Sequence, residues 1–186
     1  MLRQIATVGV IALAITGCVS PSKDTAFAAE TAITITKDSY TPDLMETVRL
    51  DAKSMKIDKM ILRLKKHVGK TWYVFSGSTP SGWDCSGLTK WAYEQVGVEL
   101  EHRASKQELA GTKTKTPKPG DLVIFKYKNS KTAYHVGVYI GNGEMIHAPR
   151  KGEVTRIESV SQFGGNYSKI TYVDVLVDKT LKVVSK

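Results

Sequence analysis

Trp83-Asp84-Cys85-Ser86-Gly87-Leu88 is a turn that runs straight into a helix. Asp84 is a strong N-cap, because its carboxylate oxygen can accept from the unpaired N–H groups of the first helical turn. Leu88, Trp91, Ala92 and Val96 then recur at helical spacing, and Gly97 suits the helix end. Cys85 therefore falls at or next to the first helical residue. There the helix dipole and the free N–H groups favour an anion and lower a thiol pKa, as a nucleophile requires. A lone cysteine more commonly just packs, so the rest of the chain has to decide.

A thiolate nucleophile needs a base in hydrogen-bond reach, held by an orienting partner. The chain has four histidines, His67, His102, His135 and His147. His67 closes a helical stretch, where a cation suits the dipole. His102 stands in a polar loop and reads as solvent-facing. His135 and His147 lie on two strands of one hairpin turning at Gly141-Asn142-Gly143. A three-residue loop with Gly143 left-handed sets position 137 opposite 147, so that 135, 137, 147 and 149 share one face. Gly137 then leaves room for the His147 ring to lean toward His135. A two-residue loop on Asn142-Gly143 would send the histidines to opposite faces. A paired-histidine site thus predicts the three-residue loop. Two histidines and a cysteine without a carboxylate set make a thin zinc site, so no metal or other cofactor is expected. Each histidine alone is more often a satisfied core residue; together with Cys85 the catalytic reading is the better one.

Thr41-Pro42 opens a helix, with Leu44, Met45 and Val48 on one face. A second helical pattern covers about 54–68, through Ile57, Met60, Ile61, Leu64 and Val68 to Gly69; continuity between the two is left open. Residues 76–82 are turn-rich. Ser105 can cap a short helix, with Glu108 at the capping-box position. Residues 112–119 read as a Lys/Thr/Pro loop. Strands follow over about 122–127, 134–140, 144–148, 154–157 and 170–177. Helices first and antiparallel strands after define an α+β domain.

The 186-residue chain carries a formal net charge of +9, concentrated between Lys113 and Lys131. Anionic partners such as wall polymers or membrane headgroups suit that surface, although a solvated lysine-rich loop is the plainer reading. With no zinc-finger spacing and no aromatics interleaved with basic residues, nucleic acid is not an expected partner. At the N-terminus, Arg3 precedes an apolar run from Ile5 to Ile15, too short to span a bilayer and suited to a signal peptide. Ile15-Thr16-Gly17-Cys18 resembles a bacterial lipobox, which implies residues 1–17 as signal peptide, cleavage before Cys18 and its lipidation. Ala26-Phe27-Ala28 is the rival cleavage site. Residues 18–40 read as a tether and 41–186 as the folded domain. Either cleavage exports the protein. A membrane-anchored lipoprotein at the cell envelope is the favoured outcome; a secreted form, or a phage product, is the alternative.

Asp84-Cys85-Ser86-Gly87-Leu88, Pro119-Gly120-Asp121-Leu122-Val123, and His135 to Gly143 continuing through Met145-Ile146-His147-Ala148 resemble, in order, the signature blocks of NlpC-type cell-wall peptidases, which are papain-like cysteine peptidases. The resemblance covers about 55–178. It implies an antiparallel sheet of about five to six strands packed against helices. It also implies Cys85 as nucleophile, His135 as base and His147 as orienting residue. Tyr73 falls where the family has a tyrosine near the thiolate and is a candidate oxyanion donor. Asp84 and Ser86 match positions that contact substrate, and Arg103, Ser105 and Gln107 match a block that lines the cleft. Trp72, Ser76-Gly77 and Trp83 replace the family's usual Pro, Gly-Gly and Phe around the substrate groove.

The implied substrate is the peptide stem of peptidoglycan, cut between D-glutamate and the diamino acid, in wall remodelling or lysis. A CHAP-type amidase or endopeptidase has the same Cys-then-His order, but the Met-Ile-His-Ala block favours the first family. Lipid-acyltransferase relatives carry His before Cys. A non-catalytic wall-binding lipoprotein is disfavoured by the presence of Cys85, His135 and His147 together.

Overall fold

The computed structural model describes residues 41–176. The signal-peptide, lipobox and tether expectations, Cys18 included, lie outside the described residues. Thr41 caps α1 (Pro42–Lys65): its hydroxyl accepts from the Leu44 N–H at 3.2 Å, and proline occupies the first turn. The two helical patterns form this single helix, because no glycine or proline interrupts 43–65. Only its C-terminal half is sealed, through Met60, Ile61 and Leu64; Leu44, Val48 and Leu50 are exposed. His67 does not serve the dipole as a cation. It stands edge-on to Trp83 and Trp91, with ring centroids 5.1 Å from each. Burial, then Lys70 and Lys66, push its pKa down.

A small hairpin, β1 (Ser78–Thr79) and β2 (Gly82–Trp83), leads into α2 (Cys85–Glu94). Then come α3 (Ala104–Gln107), β3 (Thr112–Thr114), β4 (Leu122–Tyr127), β5 (Ala133–Gly141), β6 (Glu144–His147), β7 (Arg156–Ser159), α4 (Val160–Gly164), a 3-10 turn (Gly165–Tyr167) and β8 (Ser168–Asp174). The larger sheet has six strands in the order β3-β8-β4-β5-β6-β7, every neighbour antiparallel. This is the α+β architecture expected.

Alternation along the strands sends two sets of apolar side chains to opposite faces. Leu122, Ile124, Val136, Val138 and Ile146 pack with Met60, Leu64, Leu88, Ala92 and Tyr93. Val123, Phe125, Tyr139 and Met145 pack with Val160, and Phe163 and Tyr172 close over them. The long helices thus cover one face and α4 part of the other.

Several boundaries differ from the sequence reading. Residues 112–114 are not loop but a short edge strand, with Thr112 opposite Asp174. Arg103, not Ser105, is the N-cap of α3, without a side-chain cap bond. Glu108 lies past the helix end, where its carboxylate takes Lys126 at 2.6 Å and Lys113 at 2.9 Å instead of closing a capping box. The strand expected over 154–157 starts at Arg156 and runs to Ser159, and Val154 makes only an isolated bridge to Trp72.

The β5–β6 hairpin reaches the expected register by another route. Asn142 (φ 52°) and Gly143 (φ 75°) form a two-residue turn, with Gly141 opposite Glu144. Alone, that turn would part the two histidines. A bulge between Tyr139 and Gly141 shifts the pairing by one, so Tyr139 meets Met145 and Val138 meets Ile146. Gly137 thereby comes beside His147: a Cβ on Gly137 would stand 3.2 Å from His147 Cβ and 2.9 Å from Met145 Sδ.

Candidate active site

Asp84 is the hub of the Cys85 turn. Its Oδ1 accepts from Gly87 N at 2.8 Å, closing the N-cap, and from Ser86 Oγ and His102 Nε2 at 2.9 Å each; Oδ2 accepts from Ser76 N at 3.0 Å. His102 is therefore not simply solvent-facing. Ser76 is held at φ 59°, a left-handed backbone that a residue with a side chain rarely adopts. Glycine is obligatory at 87, where a Cβ would fall 1.9 Å from the Gly77 carbonyl oxygen. Beneath the turn, fully buried Gln107 donates to the carbonyls of Ser86 (2.9 Å) and Glu101 (2.8 Å) and accepts from Thr89 Oγ1 (2.6 Å). Gln107 thus braces the first turn of α2 from below rather than lining a cleft. Ser105 is half-buried on α3, and Arg103 is exposed.

Cys85 is a free, half-buried thiol at the first residue of α2. Burial first, then the Asp84 carboxylate, push its pKa up to about 11; hydrogen bonds with the backbone of Val136, Ser86 and Cys85 itself pull the other way. The lowered pKa expected from the helix start is overturned, because desolvation and the adjacent carboxylate outweigh the N-terminal dipole. That direction favours the thiol over the thiolate at neutral pH. Val136 directly follows His135, so α2 delivers Cys85 to the strand that carries the histidine. Tyr73 is half-buried beside them: burial, then Cys85 and Asp84, raise its hydroxyl pKa.

His135 and His147 form the other half. Their side chains share a sheet face, and His135 Nε2 lies 2.8 Å from His147 Nδ1 with the rings nearly perpendicular. Phe163 stands over both, at 4.5 and 4.7 Å between centroids. His147 Nε2 reaches Glu158 Oε2 at 2.9 Å, and the same oxygen accepts from Arg156 Nε (2.9 Å) and Nη2 (2.8 Å). Burial, then His147 and Arg156, hold His135 well below the usual imidazole pKa. Burial takes His147 down to about 4 despite the opposing pull of Glu158. Both rings are neutral at neutral pH.

Glu158 was missed because the strand was expected to end at 157; Arg156 lay within that strand but was given no partner. Had β6 and β7 been paired with His147 opposite Arg156, as they are, Glu158 would have fallen on the histidine face. A groove of about 520 Å³ opens beside His135, between stacked Tyr127 and Tyr134 on one side and Arg150 and Arg156 on the other. A larger cavity of about 670 Å³ between α1 and Val96–Val98 is lined by none of these site residues.

A cysteine at a helix start, joined by a hydrogen bond to the backbone of the strand that carries one of two paired histidines, on an antiparallel sheet, is the arrangement of the papain-like class. Within that class the chain belongs to the NlpC/P60 family, whose pattern matches residues 69–177. It is 37% identical over 141 residues to murein DD-endopeptidase MepH of Escherichia coli (strain K12), taking in 70% of this chain and 51% of that protein. With the probable endopeptidase p60 of Listeria monocytogenes it shares 39% identity over 95 residues, 50% of this chain and 19% of that protein. The chain thus spans about half the length of the first relative and a fifth of the second. Among solved structures, the NlpC/p60 domain of peptidoglycan hydrolase SagA matches with a TM-score of 0.55 at 36% identity, covering 63% of this chain and 97% of that domain. RipD of Mycobacterium tuberculosis, a non-catalytic NlpC/p60 domain protein adapted to peptidoglycan binding, shares the fold at a TM-score of 0.54 and 23% identity, covering 65% and 98%.

Proposed function

We propose that this chain is a cysteine endopeptidase that hydrolyses amide bonds in peptidoglycan stem peptides. The observation that carries the reading is the meeting of the capped Cys85 turn with the strand bearing the His135–His147 pair, in a chain of the NlpC/P60 family. His135 Nδ1 takes the thiol proton as Cys85 attacks the carbonyl, then gives it to the leaving amine; water activated by His135 frees the thioester. The Cys85 N–H, with Tyr73, stabilises the oxyanion. A neutral thiol beside a neutral imidazole suits proton transfer during attack rather than a resting ion pair.

The bond between D-glutamate and the diamino acid is the first candidate. The DD-endopeptidase name of the Escherichia coli relative favours a second, the cross-link between stems. Asp84 supports the second as well, because all four of its contacts are already made within the protein, leaving it poorly placed to require a free substrate amine. Lipidation at Cys18 and attachment to the envelope complete the proposal, with the basic surface meeting anionic wall polymers.

The test is digestion of isolated sacculi and of defined tri- and tetrapeptide muropeptides, with products identified by mass spectrometry and Cys85→Ala as control. Cys85-dependent cleavage within the stem supports the reading, and the product masses name the bond. Release at the sugar–L-alanine bond would make the protein an amidase. Binding without cleavage would place it with the non-catalytic members.

A further inference from the structure

The reach of the base half beyond His147 has a strict chemical consequence. Glu158, as a carboxylate paired with a guanidinium, offers acceptors and no donor. His147 Nε2, 2.9 Å from Glu158 Oε2, must therefore carry a hydrogen. In a neutral ring that leaves His147 Nδ1 as an acceptor. Its partner at 2.8 Å, His135 Nε2, must then be the donor, so His135 Nδ1 is bare. One carboxylate thus dictates the protonation of two rings in series. Arg156 makes the arrangement one-way, since its two hydrogen bonds hold Oε2 in place and a guanidinium can only donate. Burial adds to the constraint: His147 is fully buried and His135 only 4% exposed, so water has little access to satisfy the opposite tautomer.

We propose that Glu158 is a positioning residue that fixes both histidines as Nε2–H tautomers and so presents the bare Nδ1 of His135 to the Cys85 thiol. Its importance for turnover rests on the cysteine-peptidase reading above; the tautomers can be read without it. Glu158 acts on His135 through His147, the ring that stands between them. Its charge also favours the imidazolium that forms on His135 when the thiol gives up its proton, as a third triad member does in other hydrolases.

The experiment is nitrogen NMR of the histidine rings in the full chain at neutral pH, alongside kcat and KM on a muropeptide. In the wild type both rings are expected as Nε2–H. In Glu158→Ala, Arg156 faces His147 Nε2 and turns it into an acceptor, so both rings are expected to switch to Nδ1–H. Glu158→Gln keeps the shape and guards against a folding defect. Its uncharged oxygen holds the tautomer less firmly, so mixed tautomers and a kcat lower by about 10- to 100-fold with little change in KM are expected, by analogy with the loss when the outer-shell partner of a metal-bound histidine is removed. An Nδ1–H tautomer on either ring of the wild type would overturn the proposal. So would two folded variants that keep the wild-type tautomers and kcat. If the wild type hydrolyses nothing, the peptidase reading falls by itself, and the ring spectra still decide the role of Glu158.

Discussion

The Cys85 turn and the His135–His147 pair, linked through the backbone of Val136, are assembled over different spans of chain. Asp84 gathers Ser76, Ser86, Gly87 and His102, all from the loop before α2, its first turn or the segment just after it. Gln107 braces that unit from below. The base half runs across three strands, from β5 through β6 to β7, and exists only if all three are in register. The nucleophile half is therefore a local device that a helix start can build. The base half is a product of the sheet and inherits every error in it. Substitutions that disturb the sheet should harm activity beyond their effect on stability. Those that disturb the buttress should do the reverse.

The largest effect is expected at Gly137. In Gly137→Ala the new Cβ stands 2.9 Å from Met145 Sδ, 3.2 Å from His147 Cβ and 3.2 Å from the Ile146 carbonyl oxygen. Met145 can yield, but the backbone oxygen and the His147 Cβ can only move with β6. Overpacking of this kind costs about 1–3 kcal/mol, while a displacement near 1 Å at the histidine pair of the proposed site can cost on the order of 100-fold in rate. Paired measurements of kcat and urea denaturation should show hydrolysis falling at least tenfold in protein that still folds. Undiminished hydrolysis would show that the base half tolerates movement of β6.

Gln107→Ala should invert that balance. The side chain has no solvent exposure and serves three partners, two carbonyls and the Thr89 hydroxyl. Each partner keeps another bond, Thr89 Oγ1 to the Ser86 carbonyl and Arg103 N to the Glu101 carbonyl, so the cost is that of three lost hydrogen bonds and the space left behind, on the order of 3 kcal/mol. The unfolding midpoint in urea should drop accordingly, with kcat of the folded fraction reduced less than in Gly137→Ala. A larger loss in kcat than in stability would mean that Gln107 sets the thiol geometry directly.

The same contrast appears in what the sequence discloses. The nucleophile half lies within a few consecutive residues, and an N-cap followed by helical spacing is a signal that tertiary context seldom overrides. Cys85, Asp84 and the start of α2 were all legible. The histidine pair was legible only on condition of a register, and the register arose from a bulge near Ile140 that no periodicity announces. Glu158 was hidden because the β7 boundary was misplaced by two residues, and a boundary shift there reassigns which side chains reach His147. His102 lay in an aperiodic segment whose course depends on α3. The thiol pKa failed for another reason: the helix dipole is written in the local sequence, whereas the desolvation that outweighs it comes from the packed neighbours.

Acid should separate the two halves next. His147 is held down to about 4 and His135 well below its ordinary value, both through burial. The unfolded chain, with imidazoles near 6.5, binds more protons than the folded one between these values. The contribution of neutral, buried rings is complete above pH 6.5 and is lost as pH falls through the folded pKa values. A Tm several degrees lower at pH 5 than at pH 7.5 is the expected result, with a shallower slope in His147→Asn. An unchanged slope in that variant would place the acid sensitivity elsewhere, in His135, His67 or the paired carboxylates.

The smallest effect belongs to the nucleophile half. Ser76 sits at φ 59° with its N–H bound to Asp84 at 3.0 Å. The left-handed conformation costs a side-chain-bearing residue on the order of 1 kcal/mol, and glycine removes that cost at the price of a more flexible unfolded chain. The Ser76 side chain makes no hydrogen bond among the described residues, and the bond to Asp84 uses the backbone, which glycine retains. Ser76→Gly should therefore stabilise the fold by a few tenths to about 1 kcal/mol while leaving kcat within about twofold. Denaturation midpoints measured beside initial rates would decide it. A drop in stability would mean that the strain is offset by packing of the serine. A drop in kcat alone would mean that the hydroxyl faces the substrate, giving the local half of the site a contact with it that the Asp84 network does not supply.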